Sequence, residues 1–208
     1  MTDLTARLDS FFESLREVLA ARRLAGAAYD DELSEVLALW PENGAGGSRV
    51  KPQRLPAADH LEASLDLARN QPTTAVAAAL RAMAPFLAWT YGYPPHPLYP
   101  DLASRVAFTQ IAGPDDLRRS ERLLVGLTLI APQTLYPAHF HPAIELYLPV
   151  GGVGLWSQGG EPSEPRAPGE LILHRENIPH ATEALSEPVL AIWTWRGDLQ
   201  TKPLFAEP

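Results

Sequence analysis

Tyr136-Pro137-Ala138-His139-Phe140-His141-Pro142-Ala143-Ile144-Glu145-Leu146-Tyr147 is the stretch of this chain that decides how it folds. In an extended backbone successive side chains point to opposite faces, so His139, His141, Glu145 and Tyr147 share one face while Phe140, Ile144, Leu146 and Leu148 share the other. The second set is ordinary core filling. The first is not, because a buried polar group without a partner costs roughly 2–7 kcal/mol on transfer from water. A bound metal ion removes that conflict by giving the imidazoles and the carboxylate a common partner. One strand histidine alone is more often solvated or hydrogen-bonded than a ligand, so the weight rests on the spacing His-x-His-x3-Glu.

The surroundings of this stretch are those of a β domain. Segments 105–111, 123–131, 143–150, 154–158, 170–174 and 189–195 are short, rich in branched or aromatic residues, and separated by Gly, Pro and Ser, which predicts a sandwich or barrel. Upstream, Leu4, Leu8, Phe11, Phe12, Leu15, Val18 and Leu19 recur at three- and four-residue intervals and predict a helix over 4–24. Further helices are expected at 31–40, 57–69 and 72–89, the last bent near its end by Pro85, with a loop at 41–47. The Pro- and Gly-rich run 91–100 separates the two halves. The expected organisation is therefore α+β, with a helical region over 1–92 packing on or lidding a barrel over 101–208.

Composition narrows the chemistry. The chain has 208 residues, 46% of them hydrophobic, enough to bury a substantial core. Its net charge of -8, with the 17 basic residues unclustered, argues against a nucleic-acid partner. With no cysteine, a metal must be held by His, carboxylate, Tyr or water. The first twenty residues are amphipathic and carry acids, unlike a signal peptide or a membrane span, so a cytoplasmic protein with no membrane partner is expected.

The run His139-x-His141-x3-Glu145-x6-Gly152 is similar to the first motif of the cupin superfamily, with Gln133 standing where that motif opens on glycine. The second cupin motif matches from Gly169, with Arg175 at its proline, Asn177 at its turn glycine, His180 at its histidine and Ala184 at its asparagine. Asparagine tolerates the left-handed backbone better than other non-glycine residues, so Asn177 suits that turn. The resemblance implies a double-stranded β-helix (jelly-roll) barrel with His139, His141, Glu145 and His180 as metal ligands. Such donors suit Fe(II), Zn(II) or Mn(II), and ligand type does not choose among these divalent transition metals. Four protein ligands leave two octahedral positions for substrate or water.

Tyr147 follows Glu145 on the same row and Tyr136 precedes His139 by three residues, so a phenol can stand beside the metal from either side. A phenol ionises near pH 10, and a divalent cation next to it stabilises the phenolate as a general base. A tyrosine that only hydrogen-bonds the barrel rim is the plain alternative. Tyr-x2-His-x-His-x3-Glu-x-Tyr with the distant His180, a helical N-terminal region and Trp193-Thr194-Trp195 resembles the bacterial cupin dimethylsulfoniopropionate (DMSP) lyases, most closely their Q type. This resemblance implies β-elimination of a small zwitterionic substrate to dimethyl sulfide and acrylate, with Tyr147 as the base and Tyr136 beside the substrate or metal. A sulfonium has no N–H to donate, so aromatic faces are its natural partners, and Trp89, Tyr91, Tyr93, Trp193 and Trp195 are candidates. Two rivals remain: an iron cupin dioxygenase acting on a small carboxylate, and a non-catalytic cupin that senses a metal or ligand. His174, at a strand end, and His96, in a Pro-rich loop, can each approach the barrel mouth, but both are expected to be solvated or capped, and His60 on a helical face to be solvated. The apolar helical faces are candidates for a homodimer contact or a lid.

Overall fold

The computed structural model describes residues 2–44 and 51–206, so the loop expected at 41–47 is followed only to Gly44 and its remainder lies outside the described residues. The helices are α1 (Thr2–Ala20), α2 (Asp30–Ala38), α3 (Leu61–Leu67), α4 (Thr74–Met83) and a short α5 (Leu102–Arg105). The strands are β1 (Val106–Gly113), β2 (Arg118–Arg119), β3 (Leu124–Ile130), β4 (Thr134–Phe140), β5 (Ile144–Gly151), β6 (Gly154–Gln158), β7 (Glu164–Arg166), β8 (Ile172–His174), β9 (His180–Ala184), β10 (Val189–Arg196) and β11 (Leu204–Phe205). The helix expected over 72–89 is shorter. Pro85 has no N–H to continue the ladder, so α4 gives way to a single 3-10 turn at 84–86, and Trp89 then pairs in extended form with the Gln53 carbonyl.

Two sheets face each other: a six-stranded one in the order β2-β1-β3-β10-β5-β8 and a five-stranded one in the order β11-β4-β9-β6-β7. The period of two sorts each strand of the larger sheet between two cores. On β3, β5 and β10, Val125, Leu127, Leu129, Leu146, Leu148, Leu190 and Ile192 pack outward against Phe11, Phe12, Leu15, Leu65, Leu80 and Met83 of the helices. Leu124, Ile130, Tyr147, Val189, Ala191 and Trp193 point inward, between the sheets. The helices thus cover the back of the larger sheet, with Thr73 Oγ1 donating to the Val150 carbonyl at 2.7 Å, and Arg196 of β10 clasping Glu32 of α2 at 2.6 and 2.9 Å. Every β3 residue is buried, which is why that segment reads as a continuous apolar run without alternation.

Candidate metal centre

The deciding stretch is two strands and not one. β4 ends at Phe140 in the smaller sheet, residues 141–143 turn a corner, and β5 begins at Ile144 in the larger sheet. His139 therefore reaches the interior from one wall and Glu145 and Tyr147 from the other, with His141 at the corner. Tyr136 and His139 differ in parity, yet both line the interior. Pairing of β4 with β9 shifts register between Tyr136 and His139, so Pro137 and Ala138 bulge and bring the two rings to 4.0 Å, stacked.

Strand register assembles the remainder. His180 on β9 sits directly opposite His139, and Glu145 is flanked across the larger sheet by Trp195 of β10 on one side and His174 of β8 on the other. The turn before His180 has the backbone the sequence implied, with Asn177 at φ 60° and its N–H donating to the His141 carbonyl at 2.9 Å. Gln133, in place of the first motif's glycine, also holds a left-handed φ of 54°.

Three imidazoles are oriented alike. The Nδ1 atoms of His139, His141 and His180 lie 2.9, 3.0 and 2.9 Å from the carbonyls of Pro137, Ala143 and Ile178. A carbonyl only accepts, so each Nδ1 carries the proton and each Nε2 presents a lone pair. Those lone pairs converge: the donor atoms of His139, His141 and His180 lie within 4.8 Å of one another. Glu145 Oε2 is 3.1 Å from His141 Nε2 and 3.3 Å from His180 Nε2, while its Oε1 accepts from Trp195 Nε1 at 2.7 Å. Acceptor then faces acceptor, and the buried His180 Nε2 has no hydrogen-bond partner. Leaving such groups unsatisfied costs about 1–3 kcal/mol each, whereas one divalent cation satisfies all of them. Donor separations suit it, since ligand atoms about 2.1 Å from a metal lie about 3.0 Å apart along an octahedral edge and about 3.4 Å along a tetrahedral one.

His174 departs from expectation. It is 1% exposed rather than solvated or capped, its ring lies 3.9 Å from that of His180, and its Nδ1 lies 3.6 Å from Glu145 Oε2 without a hydrogen-bond partner. It sits here because β8 places it across from Glu145, a register that sequence spacing does not carry. His60 and His96 stay away from the centre. Nδ1 of His96 accepts from the Leu98 N–H at 3.2 Å.

Electrostatics follow from burial. Desolvation alone would raise the Glu145 carboxyl, but the imidazoles of His141, His174 and His180 gathered around it outweigh that and hold the carboxyl well below the usual range. Burial first, and then His180, lower His139 well below 6.5 and His174 to about 4, so both are neutral at pH 7 and fit for ligation. Tyr147 is raised well above 10 by burial and by the Glu145 charge, with its hydroxyl 3.2 Å from Thr128 Oγ1 opposing the shift. Burial also raises Tyr136, whose hydroxyl meets that of Tyr93 at 2.5 Å.

A cavity of about 320 Å³ opens over this cluster, walled by Tyr93, Phe108, Tyr136, Tyr147, Trp193 and Trp195 and lined also by residues 199–203. Trp193 can lie flat there because its register partner is Gly126, where a Cβ would collide with the indole. Of the aromatics expected to form a pocket, Tyr93, Trp193 and Trp195 do so. Trp89 is instead buried in the helix-side core, and Tyr91 stands behind the wall, stacked on Phe108 at 6.4 Å. Sequence reasoning missed Phe108, Thr128 and Lys202, the last being the one basic side chain among the cavity-lining residues described.

Fold and centre together define a cupin, an α+β protein whose inner His/Glu cluster is suited to a divalent metal. Comparison with known proteins narrows the class. The model of the dimethylsulfoniopropionate lyase family matches residues 33–191. The chain is 36% identical to the putative dimethylsulfoniopropionate lyase DddL of Cereibacter sphaeroides, over 77% of this chain and 68% of that protein. It is 32% identical to the dimethylsulfoniopropionate lyase DddQ of Ruegeria pomeroyi, over 76% of this chain and 79% of that protein. The crystal structure of that DddQ superposes with a TM-score of 0.78 at 28% identity, covering 96% of this chain and 98% of the other. The chain belongs to the dimethylsulfoniopropionate lyase family, and it is an enzyme of the carbon–sulfur lyase class. Among the described residues, no helix is long and apolar enough to cross a membrane.

Proposed function

We propose that this enzyme splits dimethylsulfoniopropionate by metal-dependent β-elimination, with His139, His141, Glu145 and His180 as ligands and Tyr147 as the base. The observation that carries the reading is the convergence of imidazole lone pairs and a carboxylate at the floor of an aromatic cavity. A divalent ion held there supplies positive charge to the substrate carboxylate and to the enolate-like charge that develops beside it. Trp193, Trp195, Tyr93 and Phe108 offer ring faces to the sulfonium, which is a cation without N–H groups.

Tyr147 shares the inner row with Glu145 and lines the cavity, so its oxygen takes the proton from the carbon next to the carboxylate. The C–H electron pair becomes the new C=C bond, the C–S bond breaks, and its electrons leave with sulfur as neutral dimethyl sulfide. Acrylate remains. The Tyr147 hydroxyl then returns its proton to solvent, with the Thr128 hydroxyl 3.2 Å away to hold it in place. Burial and Glu145 keep this phenol protonated on the protein's own charges, and only a nearby cation offsets them. Metal and tyrosine base are therefore one proposal and not two.

Tyr136 is the second phenol beside the centre, but its hydroxyl is engaged by Tyr93, which fits a wall that orients substrate. The elimination consumes no oxidant, so dimethyl sulfide release from purified, metal-loaded enzyme should run at equal rates in air and under argon. A strict oxygen requirement would assign the centre to a dioxygenase.

A further inference from the structure

We propose that His174 is a further metal ligand of this centre, occupying one of the two octahedral positions that His139, His141, Glu145 and His180 leave open. The inference deepens the metal reading above and rests on it. Two overlapping donor sets are present, His139 with His141 and His180, and Glu145 with His174 and His180, the donor atoms of each set lying within 4.8 Å of one another. His174 is 1% exposed, and its Nδ1 is aimed at the centre, 3.6 Å from Glu145 Oε2, with no hydrogen-bond partner. In the other three imidazoles Nδ1 is taken by a backbone carbonyl and Nε2 faces the centre. In His174 the free atom is Nδ1, and no carbonyl occupies it. Its 3.6 Å separation from Oε2 is longer than a hydrogen bond and lies between the adjacent and opposite spacings, about 3.0 and 4.2 Å, of ligands about 2.1 Å from one octahedral ion. Register fixes it there, since β8 sets His174 opposite Glu145 while the His174 ring lies against that of His180, tilted by 31°.

The consequence is for specificity. Five protein ligands leave an octahedral ion one free position. One carboxylate oxygen of the substrate fills it, and chemistry that must hold two outside molecules on the ion at once has no second place.

The test counts bound imidazoles in the intact chain. Each histidine on a paramagnetic Co(II) ion contributes one strongly shifted, exchangeable ring N–H signal in the proton NMR spectrum. The Co(II)-loaded wild-type protein should show four such signals, and His174→Gln should show three, with Co(II) affinity lowered about 10- to 100-fold. Three signals in the wild type, or four in His174→Gln, overturn the proposal. Failure of the wild type to take up Co(II) would overturn the metal reading itself, a result distinct from a count of three.

Discussion

Tyr147 is 4% exposed and hydrogen-bonded to Thr128, a description that by itself fits a core tyrosine. What separates it from one is its neighbourhood: Glu145 stands two residues before it on the same inner row, and Trp193 lies opposite it in the sheet. Tyr147→Phe keeps the ring and its packing and deletes only the atom that would accept the proton in the proposed elimination. Removing a general base lowers the rate about 100- to 10,000-fold, whereas one peripheral hydrogen bond is worth about 0.5–1.5 kcal/mol, roughly tenfold at most. Tyr147→Phe should therefore retain its fold and bound metal while kcat falls at least a hundredfold. Measuring kcat beside metal content decides it, and near wild-type turnover with metal bound would move the base elsewhere. Tyr136→Phe would be the next variant, because Tyr136 is the other phenol stacked against the histidine cluster.

At the scale of elements, the two-residue strand β11 holds the mouth of the cavity. Leu204 and Phe205 pair with Phe140 and His139, and the Phe205 ring stacks on Tyr93 at 4.2 Å, so residues 199–203 are drawn across the opening beside the centre. Losing that stack removes about 0.5–1.5 kcal/mol of positioning, so Phe205→Ala should raise KM for dimethylsulfoniopropionate about two- to tenfold with kcat and metal content little changed. A fall in kcat with KM unchanged would show that the strap serves the chemistry and not access. β11 was not legible beforehand, because a strand of two residues shows no period; a strand was expected at 170–174, where β8 lies, but its pairing with β5 was not, because the partner lies far away in the chain. His174 was misjudged for the same reason. The grouping of His139, His141, Glu145 and His180 could be read because three of them share one short motif, and α1 because its apolar stripe runs unbroken. The deciding stretch kept its inner row even though it breaks into two strands, since the corner at 141–143 re-aims His141 without turning it outward. The bulge at Pro137 and Ala138, which brings Tyr136 onto the same wall as His139, has no signal in simple alternation.

For the molecule as a whole, the larger sheet is covered on one face by helices and on the other by the smaller sheet, and the cavity is lined from the inner face, by Leu124, Thr128, Tyr147 and Trp193. The helical half thus stiffens the wall that carries Glu145 and Tyr147 and leaves the mouth to the C-terminal strap. The net charge of -8 places no strong demand on a substrate that is itself a zwitterion with no net charge. On the proposed reading one divalent ion reconciles the lone pairs, carboxylate and buried phenol of the arrangement. The direct measurement is dimethyl sulfide and acrylate release by the purified chain, first stripped with a chelator and then reconstituted with Fe(II), Zn(II) or Mn(II) one at a time. Stripped protein should release neither product, and at least one of the metals should restore both in equal amounts. Undiminished release by fully stripped protein, or none with any metal bound, would contradict a metal-dependent dimethylsulfoniopropionate lyase.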